Sequence, residues 1–352
     1  MNVKVCIGIL VVFFASLFYF LYNIFGYFRN DVYISMERCK KVNTPYGPKD
    51  LEFYKGHIIS GYNDRAQHKD PGGILSMTME GEISLLPIKG FPEGKLLNPY
   101  GIHIAEDTLY VINIENNKKH DYIESFNISI ANNNIELKYH TTIKFEKAYY
   151  NQLNDVYFIN STLFYLTASR TYPGTEPLNF VKGFKQFIRK STYLFKCNVI
   201  DGIAACKIQD YGNMLNGITG KGRELFVIDS GANTVNRYII YHNYTLKKLE
   251  TTYIDISGEN IAYHEKSNKF YVAVLRLRDF IAARELLLKK ILPSIPGGVV
   301  ELFSEKGSWK SRLLFMQNEL SGLSTAMRIN DTMILGSWMD NHIFICPIKN
   351  PL

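Results

Sequence analysis

Hydrophobic and polar positions follow two regimes along the chain. The first is the run VCIGILVVFFASLFYFLYNIFGYF from Val5 to Phe28, 24 residues without a charge. It is long enough to cross a hydrocarbon core as a helix. The second regime starts near Lys40 and consists of short alternating stretches separated by turn residues, the signature of half-buried hairpin strands. Six stretches share one form: DLEFYKGHIISGY from Asp50, YGIHIAEDTLYVINI from Tyr100, NDVYFINSTLFYLTAS from Asn154, NGITGKGRELFVIDS from Asn216, ENIAYHEKSNKFYVAVL from Glu259 and STAMRINDTMILGSW from Ser324. Counted between Asp50, Gly101, Asp155, Asn216, Asn260 and Thr325, the steps are 51, 54, 61, 44 and 65 residues. Periods of about fifty residues mark propellers and repeat arrays. The pattern predicts an all-β fold, a six-bladed β-propeller with four short strands per blade.

The apolar run ends on bulky aromatics (Tyr22, Phe25, Tyr27, Phe28). A cleaved signal peptide would end on small residues, so an uncleaved signal anchor is expected. The resulting division is 1–4 as a short cytoplasmic tail, 5–28 as the transmembrane anchor, 29–38 as a linker and 39–352 as the propeller. Two stretches break the strand pattern. Leu178 to Lys190 places Phe180, Phe184, Phe187 and Ile188 on one helical face, with Lys182, Lys185 and Arg189 elsewhere. Leu277 to Leu292 repeats the style with Phe280, Leu287, Leu288 and Ile291, and Pro293 stops it. Such basic amphipathic helices either cap the propeller or lie on a bilayer or membrane partner.

Composition narrows the class. A hydrophobic content of 46% and a charged fraction of 21% exclude wholesale disorder. The net charge of +7 is spread along the chain without a dense basic patch, which argues against nucleic-acid binding.

Four Asn-x-Ser/Thr sequons, at Asn127, Asn160, Asn243 and Asn330, are candidate N-glycosylation sites and have meaning only in a secretory lumen. Of the five cysteines, Cys6 lies in the anchor. Cys197 and Cys206 flank the hairpin turn Asp201-Gly202 and fall directly opposite one another, where a cross-strand disulfide forms most readily. Cys39 and Cys346 stand at the two ends of the folded region, and a bridge between them would close a ring. Both pairs point to an oxidising compartment. Buried free thiols are the alternative.

CKKVNTPYGPKDLE from Cys39, NPYGI from Asn98, LND from Leu153, LNGI from Leu215, ENI from Glu259 and the sequon in HNYTL resemble the paraoxonase/arylesterase family. The resemblance runs from Cys39 to Cys346. It implies a six-bladed propeller with two calcium ions in its tunnel, a disulfide joining the ends, and calcium-dependent hydrolysis of lactones and aryl esters. For the structural calcium it implies Asp50, Asp155 and the carbonyl of Ile102, hard oxygen donors of the kind calcium prefers. For the catalytic calcium, three asparagines match (Asn154, Asn216, Asn260), an Asp has become Glu259, and a Glu has become Lys49. An ammonium has no lone pair and cannot coordinate a cation. The family's histidine dyad is missing too, with Tyr100 at the first position and a point near Ile114 at the second. His57 and His103 do not occupy those places, and His103 reads as a strand residue. No catalytic residue is therefore assigned.

The resemblance is closest in profile to the nematode paraoxonase-like membrane proteins. It implies a non-hydrolytic accessory or chaperone-like factor for the folding, assembly or surface expression of membrane proteins such as degenerin-type sodium channels. The expected cofactor is one structural Ca2+. The expected location is the endoplasmic reticulum or plasma membrane, single-pass, with the propeller lumenal or extracellular. A working calcium-dependent arylesterase or lactonase is the alternative, and a lipid or small-ligand carrier is a third reading.

Overall fold

The computed structural model describes residues 3–24, 31, 33–64, 71–114, 121–146, 153–169, 190–276, 278–279 and 293–348. Helix α1 covers Val3–Ile24, and from Lys40 on the described residues form mostly antiparallel strands. The first sheet contains Asp50–Tyr54, His57–Tyr62, Gly73–Met77 and Ile83–Leu85. Two further sheets follow the same order, with Leu215–Lys221, Glu224–Asp229, Thr234–Ile240 and Leu246–Tyr253 in one. The other contains Ser257–His264, Lys269–Leu275, Gly297–Glu305 and Ser308–Gln317. The last sheet combines Leu323–Ile329, Thr332–Ser337 and His342–Pro347 with the early strand Lys40–Asn43.

The all-β propeller expected from the sequence is present, but the expectation of six separate blades needs correcting. Four blades stand as separate four-stranded sheets, and the rest of the ring is one nine-stranded sheet. In that sheet the meander from Pro99–Ala105 to Asn134–Phe145 is fused to the meander from Leu153–Asn160 to Ile203–Gly212. The join is a short parallel pairing of Lys144 with Ile203 and Phe145 with Ala204. Strand Asn134–Phe145 has 12 residues, long enough for its end to reach the neighbouring hairpin. Period and alternation carry no information on such lateral fusion.

Neighbouring sheets pack face to face, and the apolar positions of the alternation fill the gaps. Ile112, Ile123, Val156, Phe158 and Phe164 form one such layer, and Phe226, Ile228, Phe270, Val272 and Trp309 another. Each fully buried large apolar side chain contributes about 2 kcal/mol. Val42, Leu51, Ile58, Met327, Ile334 and Ile343 fill the seam where chain start meets chain end. There Lys40–Asn43 runs antiparallel to His342–Pro347, and the disulfide Cys39–Cys346 ties the ends together. Cys197 pairs directly with Cys206 across the expected hairpin, also as a disulfide.

The expected anchor is only partly represented. Helix α1 (Val3–Ile24) takes in residues 5–24 of the expected 5–28, but no helix among the described residues is long and apolar enough to cross a membrane. Residues 25–28 and several side chains of α1 lie outside the described set. The amphipathic stretches 178–190 and 277–292 also fall outside it, apart from Lys190 and residues 278–279.

Successive inner strands, the first of each meander, lie side by side in a closed ring: Asp50–Tyr54, Pro99–Ala105, Leu153–Asn160, Leu215–Lys221, Ser257–His264 and Leu323–Ile329. All six start at one face of the propeller. That shared face positions the site.

Candidate functional site

Five of the six inner strands have a break in their ladder at the first turn. Register shifts fall between Pro99 and Ile102, Leu153 and Asp155, Leu215 and Ile218, Gly258 and Ile261, and Leu323 and Thr325. Tyr100, Asn154, Asn216, Glu259, Asn260 and Ser324 sit inside those breaks. A bulge frees a residue from the pleat and re-aims its side chain, and bulges are enriched beside functional sites. Two glycines let the strand starts close on one another. A Cβ at Gly101 would stand 2.5 Å from the carbonyl oxygen of Asn154 and 2.6 Å from Asp155 Oδ1. One at Gly217 would stand 2.6 Å from the Cα of Asn260.

The bulges and close contacts gather the sequence-expected residues at one centre. Asp50 and Asp155 are buried, and each caps backbone donors. Asp50 Oδ2 accepts from the Ile102 N–H at 2.9 Å and Oδ1 from the Leu51 N–H at 3.0 Å. Asp155 Oδ2 accepts from the Ile218 N–H at 2.9 Å and Oδ1 from the Val156 N–H at 2.8 Å. Each carboxylate therefore ties its own strand to the next one around the ring. Burial pushes the Asp50 carboxyl up to about 6 despite the pull of the Lys49 charge. Burial, and then repulsion from Asp50, pushes Asp155 well above the usual carboxylate range. Two close carboxylates that resist ionisation are a donor set that a hard cation would relieve. Asp50 and Asp155 fit the calcium implied by the resemblance. Ile102 meets Asp50 through its N–H.

The other side of the centre carries the opposite charge. Lys49 is 1% exposed. Its ammonium donates to Asn154 Oδ1 at 3.3 Å and stands 3.7 Å from the centroid of the Tyr100 ring. The Lys49 carbonyl accepts from Ser324 Oγ at 2.6 Å and from Asn260 Nδ2 at 3.4 Å, which fixes the strand start and aims the side chain inward. Tyr100, at the family's base position, contributes a ring face to a cation instead of a proton acceptor. Ile114, near the second base position, is apolar, and its backbone bonds to Asn98.

Asn216 Nδ2 donates to Glu259 Oε2 at 3.1 Å, and Asn260 Nδ2 donates to Asp50 Oδ1 at 3.2 Å. The carbonyl oxygens Asn216 Oδ1 and Asn260 Oδ1 are buried with no hydrogen-bond partner. Those two oxygens fit a cation. The Lys49 ammonium on Asn154 Oδ1 does not fit a second metal, because it holds one expected ligand and places a positive charge beside the rest. Among the described residues, no group of three or more His, Cys, Asp or Glu side chains is placed to hold a metal.

One pairing escaped the sequence reading. His103 lies on its strand as expected, but its Nδ1 stands 3.1 Å from Glu52 Oε1 and its ring centroid 4.8 Å from that of Tyr157. The pair joins two inner strands further down from the centre. The sequence signal is slight: Glu52 and His103 are polar residues two and four places past the starts of their strands. His57 is buried at the start of its own strand, away from the ring of inner strands. The sequon asparagines lie outside the centre, with Asn127, Asn243 and Asn330 exposed and Asn160 partly so.

Solved structures share the fold at low identity. A gluconolactonase from Xanthomonas campestris, XC5397, is similar with a TM-score of 0.53 at 9% identity, covering 91% of this chain and 95% of its own. The periplasmic gluconolactonase PpgL from Pseudomonas aeruginosa is similar with a TM-score of 0.50 at 9% identity, covering 85% of this chain and 88% of its own. No curated protein matches the sequence of this chain. The family model for Arylesterase matches residues 46–282, and with two thirds of its length inside that match the chain belongs to the arylesterase family.

Proposed function

We propose that this chain is a non-hydrolytic member of the arylesterase family, held at a membrane by its apolar run from Val5 to Phe28, which acts by binding. The observation that carries the reading is the buried Lys49 ammonium, seated on Asn154 Oδ1 and the Tyr100 ring. Metal-assisted ester hydrolysis needs a Lewis acid to polarise the carbonyl and a base to take a proton from water. Lys49 removes a ligand from the second metal set, and Tyr100 and Ile114 supply no imidazole. One calcium at Asp50 and Asp155 would then serve stability alone. The client class, membrane proteins such as degenerin-type channels, follows from the resemblance to the nematode branch. Co-expression of the chain with such channel subunits, read as surface current, tests that part.

A second reading, a calcium-dependent arylesterase or lactonase, is supported by family membership and by the unpartnered oxygens Asn216 Oδ1 and Asn260 Oδ1 beside Glu259. Hydrolysis of aryl acetates and lactones by the full-length protein, with and without EDTA, separates the two. Background rates in both arms are expected on the first reading. Robust EDTA-sensitive turnover would establish the second.

A further inference from the structure

The two disulfides stand in very different places in the fold. Cys39–Cys346 joins residues 307 apart and closes the ring at the seam between Lys40–Asn43 and His342–Pro347. Cys197–Cys206 joins residues 9 apart within one hairpin, Thr192–Ile200 and Ile203–Gly212. A cross-link restrains the unfolded chain by an amount that grows with the loop it closes, so the second bond contributes the smaller restraint. Its hairpin also has a complete ladder around it. Asn198 with Ala205, Val199 with Ala204 and Ile200 with Ile203 pair on the turn side, and Lys196 with Lys207 and Phe195 with Ile208 on the other. Strand pairing alone keeps this hairpin in register.

The two cysteines are unequally reachable. Cys197 is fully buried in the apolar layer of Phe158, Phe164 and Phe195, whereas Cys206 is only partly buried against that layer. Strand Ile203–Gly212 is the last of its meander. Among the described residues its outer side pairs with another strand at Ile203 and Ala204 alone, with Lys144 and Phe145 as partners. From Ala205 on that edge is open, and Ala205, Lys207 and Ile208 are exposed beside Cys206. An external thiol meets Cys206 first. The cross-link also lies next to the join between two meanders. The Gly202 carbonyl accepts from the Lys144 N–H at 2.9 Å, and the Ala204 carbonyl accepts from the Glu146 N–H at 3.0 Å. Ala204 is two residues from Cys206, so the cross-link steadies the strand end that holds the neighbouring meander.

We propose that Cys197–Cys206 is a thiol–disulfide exchange site, entered through Cys206, whose substrates are small thiols and disulfides of the glutathione class and whose state is read at the join of the two meanders. An incoming thiolate forms a bond to Cys206 Sγ and breaks the bond to Cys197 Sγ, which leaves with the electron pair and takes up a proton. A second thiolate attacks the external sulfur of that mixed disulfide, and Cys206 Sγ leaves and is protonated in turn. Two external thiols become one disulfide, and the protein disulfide gains two electrons and two protons. Burial in an apolar layer keeps Cys197 in its thiol form, which slows its return attack and prolongs the mixed disulfide on Cys206. Exposed disulfides are the exchangeable ones, and those that hold a fold together resist reduction. The hairpin bond has the first character and the seam bond the second.

The test uses the full-length chain in detergent, with Cys6→Ser to remove the fifth thiol. The protein is equilibrated in a series of glutathione buffers from oxidised to reduced, quenched in acid, alkylated and mapped by peptide mass. Cys197 and Cys206 should pass from disulfide to thiol across the series while Cys39–Cys346 stays oxidised and the circular dichroism of the strands is kept. Hydrogen exchange at the Lys144 and Glu146 amides should rise in the reduced form. With oxidised glutathione, Cys197→Ser should take up glutathione at Cys206 about tenfold faster than Cys206→Ser takes it up at Cys197. Reduction of both disulfides together, or reduction of Cys197–Cys206 only as the circular dichroism is lost, makes it a structural bond and overturns the proposal. That wild-type titration decides the matter even if a single-cysteine variant does not fold. Unchanged exchange at Lys144 and Glu146 overturns the coupling to the join, and equal uptake by the two variants overturns entry through Cys206.

Discussion

The two sides of the central site are built from the same ring of strand starts and carry opposite charges. On one side Asp50 and Asp155 are buried close together, each capped by backbone N–H groups, and both are held toward the protonated form. On the other, Lys49 lies on the Tyr100 ring and Asn154. The scaffold is common to both: bulges aim the side chains, and Gly101 and Gly217 let the strands approach. The difference lies in the side chains alone. One residue type, a lysine beside an aspartate, separates a carboxylate pair that invites a cation from a side that already holds one. A conserved architecture thus says little about chemistry until the side chains at its centre are read individually.

Removing the lysine's charge is expected to have the largest effect. Lys49→Met leaves buried carboxylates without their internal cation, and a loss of about 3–5 kcal/mol is expected from chemical denaturation in EDTA. Little change would mean that Lys49 does not neutralise the centre.

Next in size is the response of the carboxylate side to calcium. With calcium at a hundred to a thousand times its dissociation constant, the wild type should gain about 3–4 kcal/mol, and Asp155→Asn should lose that gain. A melting temperature unaffected by chelation in the wild type would remove the structural ion from the account.

The pH dependence has a definite sign. The folded-state values of Asp50 and Asp155 are raised, so the folded protein binds these protons more tightly than the unfolded chain. Their contribution is fully present below about pH 4, the unfolded value, and is lost as pH rises through the raised folded values, about 6 for Asp50. In EDTA the protein should therefore be more stable at pH 5 than at pH 7.5. Saturating calcium should flatten the difference, and Asp155→Asn should reduce it.

The smallest effect is expected at the ring. Tyr100→Leu keeps the apolar contact and removes the cation–π contact with Lys49, at a cost of about 1–2 kcal/mol. Tyr100→Phe should be close to neutral, because the ring face is the part that is used.

Much of this was legible in the residues, for identifiable reasons. Alternation placed the inner hairpins, and the Asp201-Gly202 turn fixed the register that sets Cys197 against Cys206. The resemblance alone groups the polar residues at the strand starts, and the Lys49 ammonium donates to Asn154 Oδ1. The bulges that aim them were not legible, because a register shift leaves the apolar alternation around it unchanged. The fusion of two meanders through Lys144 and Phe145 depends on strand length and lateral reach, which a period does not encode. The Glu52–His103 contact depends on how adjacent inner strands are staggered, and that offset follows from the same bulges.

If the Lys49 ammonium takes the place of a second cation, the number of ions bound per chain reports it. Counting bound calcium in the purified full-length protein, wild type and Lys49→Glu, after equilibration and removal of free ion, tests it most directly. One ion per chain is expected in the wild type and two in Lys49→Glu. Two ions in the wild type would contradict it.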